Sequence, residues 1–104
     1  MTRIAWMMKL KPGGEEVYER THAEMSTEMS ERIRTSGARN FSIFRHDLDL
    51  FAYLELDDGA APPGDADPED EMMWEWWRRL APYMETEPSA KPLMWPLVEV
   101  FHQD

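Results

Sequence analysis

Residues 14–35 read GEEVYERTHAEMSTEMSERIRT, and this stretch has the periodicity of one long amphipathic helix. Side chains three or four positions apart lie on the same face of a helix. One stripe runs through the segment at that spacing: Tyr18, His22, Met25, Met29 and Ile33. Glutamate and arginine fill most of the other positions, which indicates a solvated opposite face. The stretch therefore predicts a helix that packs one stripe, with an imidazole in it, against the rest of the protein.

The inward position of His22 allows two interpretations. A titratable ring among apolar side chains is costly unless it is hydrogen-bonded or takes part in chemistry. On the helix pattern alone, His22 is either a core histidine with a satisfied hydrogen bond or an acid–base group with Tyr18 one turn away. The other histidines, His46 in a polar turn and His102 near the C-terminus, are expected to be exposed.

The segments around this helix carry strand patterns and a second helix pattern. Residues 4–10 alternate apolar and mixed side chains, as a half-buried strand does. Residues 57–68, DDGAAPPGDADP, contain three prolines and two glycines and are predicted to form an irregular loop. The predicted elements are, in chain order, a strand at 4–10, a helix at 14–35, strands at 40–44 and 48–56, a helix from about 69 until Pro88, and a strand at 97–101.

This order predicts an α+β fold, the ferredoxin-like βαββαβ unit, with a four-stranded antiparallel sheet and both helices on one face. A chain of 104 residues is expected to form a single domain, residues 1–104. The second face of the sheet would carry Phe51 and Tyr53, and a second copy of the chain would cover it, as in dimeric α/β barrels. We therefore expect a homodimer; the alternative is a monomer with scattered apolar surface residues.

Charge and composition exclude several kinds of partner. Eleven basic and 21 acidic residues give a formal charge of −10, which repels phosphate backbones and anionic lipids. We therefore expect no nucleic acid and no membrane partner. Cysteine is absent, so disulfides and thiolate chemistry are excluded, and the His and carboxylate spacing predicts no metal site. The N-terminal apolar segment is too short for a signal peptide, so a cytoplasmic location is expected.

Tandem tryptophans stand out in the second predicted helix. Adjacent helical residues point about 100° apart, so Trp77 is placed in the core stripe and Trp76 at its flank. Facing a strand that carries Phe41, the pair would form an aromatic wall of the kind that sugars pack against. The alternative is that these rings are only bulky core residues.

Five segments, in chain order, have a combined pattern: Tyr18-x-x-x-His22, SGARNFSI at 36–43, LFAYLE at 50–55, Trp76-Trp77, and Leu97-x-Glu99-Val100-Phe101. Taken together and in order, these segments resemble the L-rhamnose mutarotase family, whose members are small dimeric proteins that interconvert sugar anomers. The resemblance covers nearly the whole chain.

The resemblance implies an isomerase that opens and recloses a neutral 6-deoxy sugar such as L-rhamnose by acid–base catalysis, without cofactor or metal. It also implies that His22 is the proton donor and that four aromatic residues bind the sugar: Tyr18, Phe41, Trp76 and Trp77. The base is left open between a carboxylate of the sheet, Glu55 or Glu99, and a water.

The chain departs from the family pattern at two places near the expected site. A Trp-Pro pair that usually follows the histidine is absent, and Phe41 replaces a common tyrosine. A site with fewer hydrogen-bonding groups is expected to discriminate less sharply among hydroxyl patterns. Two alternatives share the predicted fold: a cofactor-independent monooxygenase-like protein that binds an apolar aromatic substrate, and a non-catalytic sugar-binding domain.

Overall fold

The computed structural model describes residues 1–65 and 67–104. Its strands and helices follow the predicted order, with the first helix divided in two. The elements are β1 (Thr2–Lys9), α1 (Glu15–Ala23), α2 (Thr27–Thr35), β2 (Ala38–His46), β3 (Asp49–Leu56), α3 (Glu71–Leu80), a 3-10 turn (Ala81–Tyr83) and β4 (Trp95–Pro96). Within the described residues, no helix is long and apolar enough to cross a membrane.

The four strands form one antiparallel sheet in the order β2-β3-β1-β4. β1 and β2 are not neighbours, because β3 lies between them and the two helices α1 and α2 carry the chain across. This is the strand order of the predicted ferredoxin-like unit, so the α+β fold and its sheet are confirmed.

One face of the sheet forms the core with the helices. On β1 and β3 the even-numbered side chains point to this face, because side chains alternate along a strand. Leu50 and Met84 are the most completely buried of the large side chains. The core residues of the sheet and helices are Trp6, Met8, Leu10, Tyr18, Leu50, Ala52, Leu54, Leu56, Leu80 and Met84.

The prediction of one continuous helix over residues 14–35 is wrong. α1 ends at Ala23, and α2 begins after Ser26, whose hydroxyl accepts a hydrogen bond from the Met29 backbone N–H at 3.1 Å. A serine at this position satisfies a donor that would otherwise be unpaired, so it favours a new helix start over continuation. Tyr18 and His22 remain together on α1.

The last predicted strand, at residues 97–101, is also placed wrongly. β4 comprises only Trp95–Pro96, and residues 97–104 have no regular structure. The Leu97 N–H still bonds to the Ala5 carbonyl at 2.9 Å, just beyond the ladder. Pro92 and Pro96 lack a backbone donor, which limits the pairing of this edge.

A bulge in β2 decides which way Phe41 points. The register with β3 shifts between Arg39 and Ser42, so one extra residue lies in β2. Asn40 at the bulge has φ of 51°, a left-handed conformation that asparagine tolerates better than most residues. The extra residue reverses the alternation, so that Ala38 and Phe41 both point toward the helices.

The bulge yields a test of stability with two matched variants. Asn40→Gly and Asn40→Val both remove the hydrogen bond from the Asn40 amide to Glu55, which measures 3.0 Å. Glycine adopts positive φ freely, whereas a β-branched residue does not. We expect Asn40→Val to be less stable than Asn40→Gly by roughly 1–2 kcal/mol in urea denaturation. Equal stability of the two variants would contradict a left-handed bulge at this residue.

Candidate active site

A cavity of about 720 Å³ lies between the sheet and the helices. Its walls come from all three long strands, from α1, α2 and α3, and from the loop at 61–65. The five residues predicted from the sequence to form the site all line it: Tyr18, His22, Phe41, Trp76 and Trp77. The tertiary structure thus brings together residues that lie up to 59 positions apart in the chain (18 to 77).

The position of α1 against the rest of the protein depends on Gly14. A Cβ at this residue would lie 2.7 Å from the Tyr83 carbonyl oxygen, so only glycine permits this approach. The Lys11 N–H donates to the same carbonyl at 2.8 Å. These contacts fix the start of α1 beside the 3-10 turn and so set the depth of Tyr18, which is 5% exposed.

The His22 ring is held by a hydrogen bond to its own helix. Its Nδ1 lies 2.9 Å from the backbone carbonyl oxygen of Tyr18. A carbonyl oxygen can only accept, so Nδ1 carries the hydrogen in this arrangement. In the neutral ring Nε2 then has the free lone pair, which makes it the nitrogen available for proton transfer.

Aromatic rings surround this imidazole. The Tyr18 ring centroid lies 4.2 Å from that of His22, and the Trp76 ring meets it edge-on at 5.1 Å. Burial lowers the pKa of His22 from its ordinary value of 6.5, and the hydrogen bond to the Tyr18 carbonyl opposes this shift in part. His22 is therefore predominantly neutral at pH 7.

Burial acts on Tyr18 in the other direction. It raises the pKa of the Tyr18 phenol far above its usual value, because the phenolate would be poorly solvated there. Tyr18 thus stays protonated at neutral pH and can act as a hydrogen-bond partner, but not as a base.

Trp76 and Trp77 take up different environments. Trp77 is 7% exposed and packs edge-on against Trp74, with ring centroids 5.0 Å apart. Trp76 is half-buried and reaches His22 from α3. The predicted division between a core tryptophan and a flanking one therefore holds, and the flanking ring is the one beside the imidazole.

Two ion pairs on the cavity wall were not found from the sequence. Arg45 donates from Nε to Glu19 at 2.8 Å, and Arg32 forms a two-point pair with Asp70. Sequence periodicity placed Glu19 on a solvated helix face and Arg45 in a turn. Neither pattern predicts the contact between Glu19 and Arg45, because this contact depends on how α1 lies across β2.

The sheet carboxylates considered as a base do not reach the cavity. Glu55 lies on the opposite face of β3, where it accepts hydrogen bonds from Asn40 at 3.0 Å and from the Tyr53 hydroxyl at 2.9 Å. Glu99 accepts from Arg3 Nε at 2.8 Å, on the same outer side. Of the bases that the sequence left open, these two carboxylates are therefore not on the cavity wall. Alternation along β3 directs Glu55 away from the helices, and the hydrogen bond from Arg3 holds Glu99 on the outer side.

The loop with the prolines closes one side of the cavity. Ala61, Pro62, Pro63, Gly64 and Asp65 all line it. A Cβ on Gly64 would lie 3.1 Å from the Met94 sulfur, so the loop packs closely against the chain that leads to β4. Residues 61–65 of the predicted irregular loop are thus a wall of the site, and residue 66 of that loop lies outside the described residues.

Comparison with known proteins places the chain in a family. A family model described as L-rhamnose mutarotase matches residues 3–103. The L-rhamnose mutarotases of Listeria monocytogenes and Acidiphilium cryptum are each 39% identical to the chain over 104 residues, with 98% of the chain and 98% of the Listeria protein covered. The crystal structure of the L-rhamnose mutarotase from Formosa agariphila superposes with a TM-score of 0.86 at 26% identity, over 100% of both chains. The chain belongs to the L-rhamnose mutarotase family.

Proposed function

We propose that this protein interconverts the α and β anomers of L-rhamnose in the cavity between the sheet and the helices. The observation that carries the proposal is the state of His22. Its Nδ1 is held by the Tyr18 carbonyl, and its Nε2, which lies among aromatic rings, has no hydrogen-bond partner in residues 1–65 and 67–104. A neutral imidazole with one free nitrogen suits a reaction that only moves a proton. Membership of the L-rhamnose mutarotase family supports the identity of the sugar.

In the proposed mechanism His22 is base first and acid second. Nε2 accepts the proton of the anomeric hydroxyl, O1 becomes the carbonyl oxygen, and the bond from C1 to the ring oxygen breaks with its electron pair going to that oxygen. The imidazolium then returns the proton to the ring oxygen. The anomeric oxygen and the ring oxygen are both bonded to C1, so one nitrogen can exchange a proton with each of them. A separate carboxylate base is not needed. His22 thus keeps the predicted role of proton donor to the ring oxygen.

Ring closure on the other face completes the exchange. Rotation about the C1–C2 bond of the open aldehyde presents its opposite face to the ring hydroxyl. Nε2 takes the hydroxyl proton as the oxygen attacks C1, and then returns it to the former carbonyl oxygen. The imidazole ends as it began, so each cycle leaves the enzyme unchanged.

The lining of the cavity favours a neutral sugar with an apolar side. Aromatic faces pack against sugar C–H groups, a role proposed for Trp76, Trp77, Phe41 and Tyr18. The thioethers of Met8, Met25 and Met29 also line the cavity and would suit the methyl group of a 6-deoxy sugar.

The charged side chains on the cavity wall also favour a neutral sugar. Arg32 and Arg45, which line the cavity, are both paired with carboxylates, those of Asp70 and Glu19. A phosphorylated or acidic sugar would have to compete with these pairs and with the negative charge of the whole protein. A neutral aldose meets no such competition.

Family membership also opposes the monooxygenase-like alternative, and a purely sugar-binding domain would have no use for the free Nε2.

The proposed enzyme is a homodimer. On the outer face of the sheet Phe44 and Phe51 are paired across β2 and β3 and are 68% and 37% exposed. Beyond β4 the side chains of Val98, Val100 and Phe101 are also largely exposed. A second copy placed against this face would bury Phe44 and Phe51, which supports the dimer predicted from the sequence.

The dimer is tested by the mass of the protein in solution. We expect light scattering at micromolar concentration to give twice the chain mass of 12.3 kDa. Phe44→Asp places a charge on the outer face and is expected to shift the protein toward the monomer, whereas Glu16→Asp on the exposed side of α1 is not. A parent protein of 12.3 kDa at this concentration would contradict the proposal.

His22→Asn separates chemistry from packing. Asparagine retains a polar group but cannot shuttle a proton at neutral pH, so anomer exchange measured by saturation-transfer NMR should fall by roughly 10²–10⁴-fold while sugar binding persists. His46→Asn is the matched control, because His46 lies exposed at the end of β2. Exchange at the parent rate in His22→Asn would place the proton transfer elsewhere, and an unfolded variant would favour the core-histidine interpretation.

The order of proton transfers predicts the pH dependence. Since burial lowers the pKa of His22 below 6.5, the neutral base form dominates at neutral and mildly alkaline pH. Exchange, corrected for the uncatalysed rate, should stay level there and fall as the pH drops through the lowered pKa. The fall should vanish in His22→Asn. A rate that rises on acidification would show instead that the resting imidazolium acts first.

A further inference from the structure

The indole N–H of Trp6 is a buried donor without a partner. Trp6 is 5% exposed, and its Nε1–H donates no hydrogen bond to any residue in the ranges 1–65 and 67–104. It is the single side-chain nitrogen or oxygen of this kind among the described residues. Buried polar groups are nearly always paired, since an unpaired one loses its bond to water without replacement. The N–H therefore needs a hydrogen-bond acceptor that the described residues do not supply.

The place of Trp6 in the fold connects this donor with the proposed site. β1 is an inner strand, and the even-numbered position of Trp6 directs the ring to the helix face, where it lines the main cavity. Its ring centroid lies 5.9 Å from that of Phe41. Phe41 has no polar atom in its side chain, so the Trp6 N–H is a hydrogen-bond donor beside an apolar ring.

Trp6 also borders a second, smaller cavity, whose character argues against a polar occupant. The other residues around it are Ile4, Ala5, Pro62, Pro63, Met94 and Pro96. None of these side chains has a nitrogen or oxygen atom, so a molecule there would find few hydrogen-bonding groups besides the indole. The main cavity has His22 on its wall and is large enough for a monosaccharide.

We propose that Trp6 is a further substrate-binding residue, whose indole N–H donates a hydrogen bond to an oxygen of the bound sugar. The inference rests on the proposed function of the cavity. Trp74 provides the contrast within the same protein, because its Nε1 donates to the Asp67 carbonyl at 3.0 Å and so needs no ligand. Loss of the Trp6 N–H should therefore weaken sugar binding, while loss of the Trp74 N–H should not.

Trp6→Phe and Trp74→Phe test this directly. Each replaces an indole by a smaller aromatic ring without an N–H, and circular dichroism checks the fold of both. We expect Trp6→Phe to raise the KM for L-rhamnose by roughly three- to tenfold, the worth of one neutral hydrogen bond, with a smaller change in kcat. Trp74→Phe should leave KM at the parent value.

Monodeoxy analogues of the sugar identify the acceptor and separate binding from packing. In the parent protein, the analogue that lacks the accepting hydroxyl should bind more weakly than L-rhamnose, and in Trp6→Phe that difference should disappear. A purely structural role for Trp6 would weaken all analogues equally. That result, or an unchanged KM, would overturn the inference.

NMR on the parent protein gives a result that does not depend on the variant folding well. With ¹⁵N-labelled tryptophan, the Trp6 N–H resonance, assigned by its absence in Trp6→Phe or by through-space contacts to Phe41, should move on titration with L-rhamnose. The Trp74 resonance should stay in place. A Trp6 resonance unmoved at saturating sugar would overturn the inference, whereas absence of catalysed exchange in the parent would overturn the proposed function instead.

Discussion

The eight backbone pairs that join β1 to β3, from Thr2 opposite Leu56 to Lys9 opposite Asp49, support every wall of the cavity. Both strands are internal to the sheet, so each has a partner on either side and neither can slip without moving its apolar side chains to the outer face. This register directs Trp6 and Met8 toward the helices together with Leu50 and Leu54. The sheet side of the cavity is therefore formed by the two strands that have hydrogen-bonded neighbours on both sides.

Against these strands, α1 positions the imidazole ring of His22. α1 is fixed at its start by the close approach of Gly14 to Tyr83, and the hydrogen bond from His22 Nδ1 to the Tyr18 carbonyl uses the geometry of the helix itself to set the tautomer. Partial burial keeps the ring neutral at pH 7. One backbone carbonyl thus decides which nitrogen is free, and in the proposed mechanism that nitrogen acts as base and then as acid.

The polar groups of the cavity are few, and most are already paired. Arg45 is held by Glu19 and Arg32 by Asp70, so the charges on the wall are neutralised locally. Among the described residues, the imidazole Nε2 of His22 and the indole N–H of Trp6 have no hydrogen-bond partner. A site of this kind suits a neutral ligand bound mainly by its apolar faces, with a small number of hydrogen bonds to orient it.

The sequence by itself determined the order of the elements, the antiparallel sheet, the aromatic character of the site and the place of His22 one turn from Tyr18. These properties depend on local periodicity, on turn residues and on motifs that lie close together in the chain, which a sequence displays directly. It also suggested one long helix, because the stripe continues through Met25, and only the serine cap shows where the helix divides.

Other properties were decided only by the tertiary structure. The bulge at Asn40 turns Phe41 toward the helices, and strand alternation turns Glu55 away from them. The contact of Arg45 with Glu19 joins residues 26 positions apart, and the unpaired N–H of Trp6 becomes evident only when all its neighbours are in place. Such features depend on which helix faces and sheet edges come into contact after folding, and no local pattern in the chain predicts those contacts.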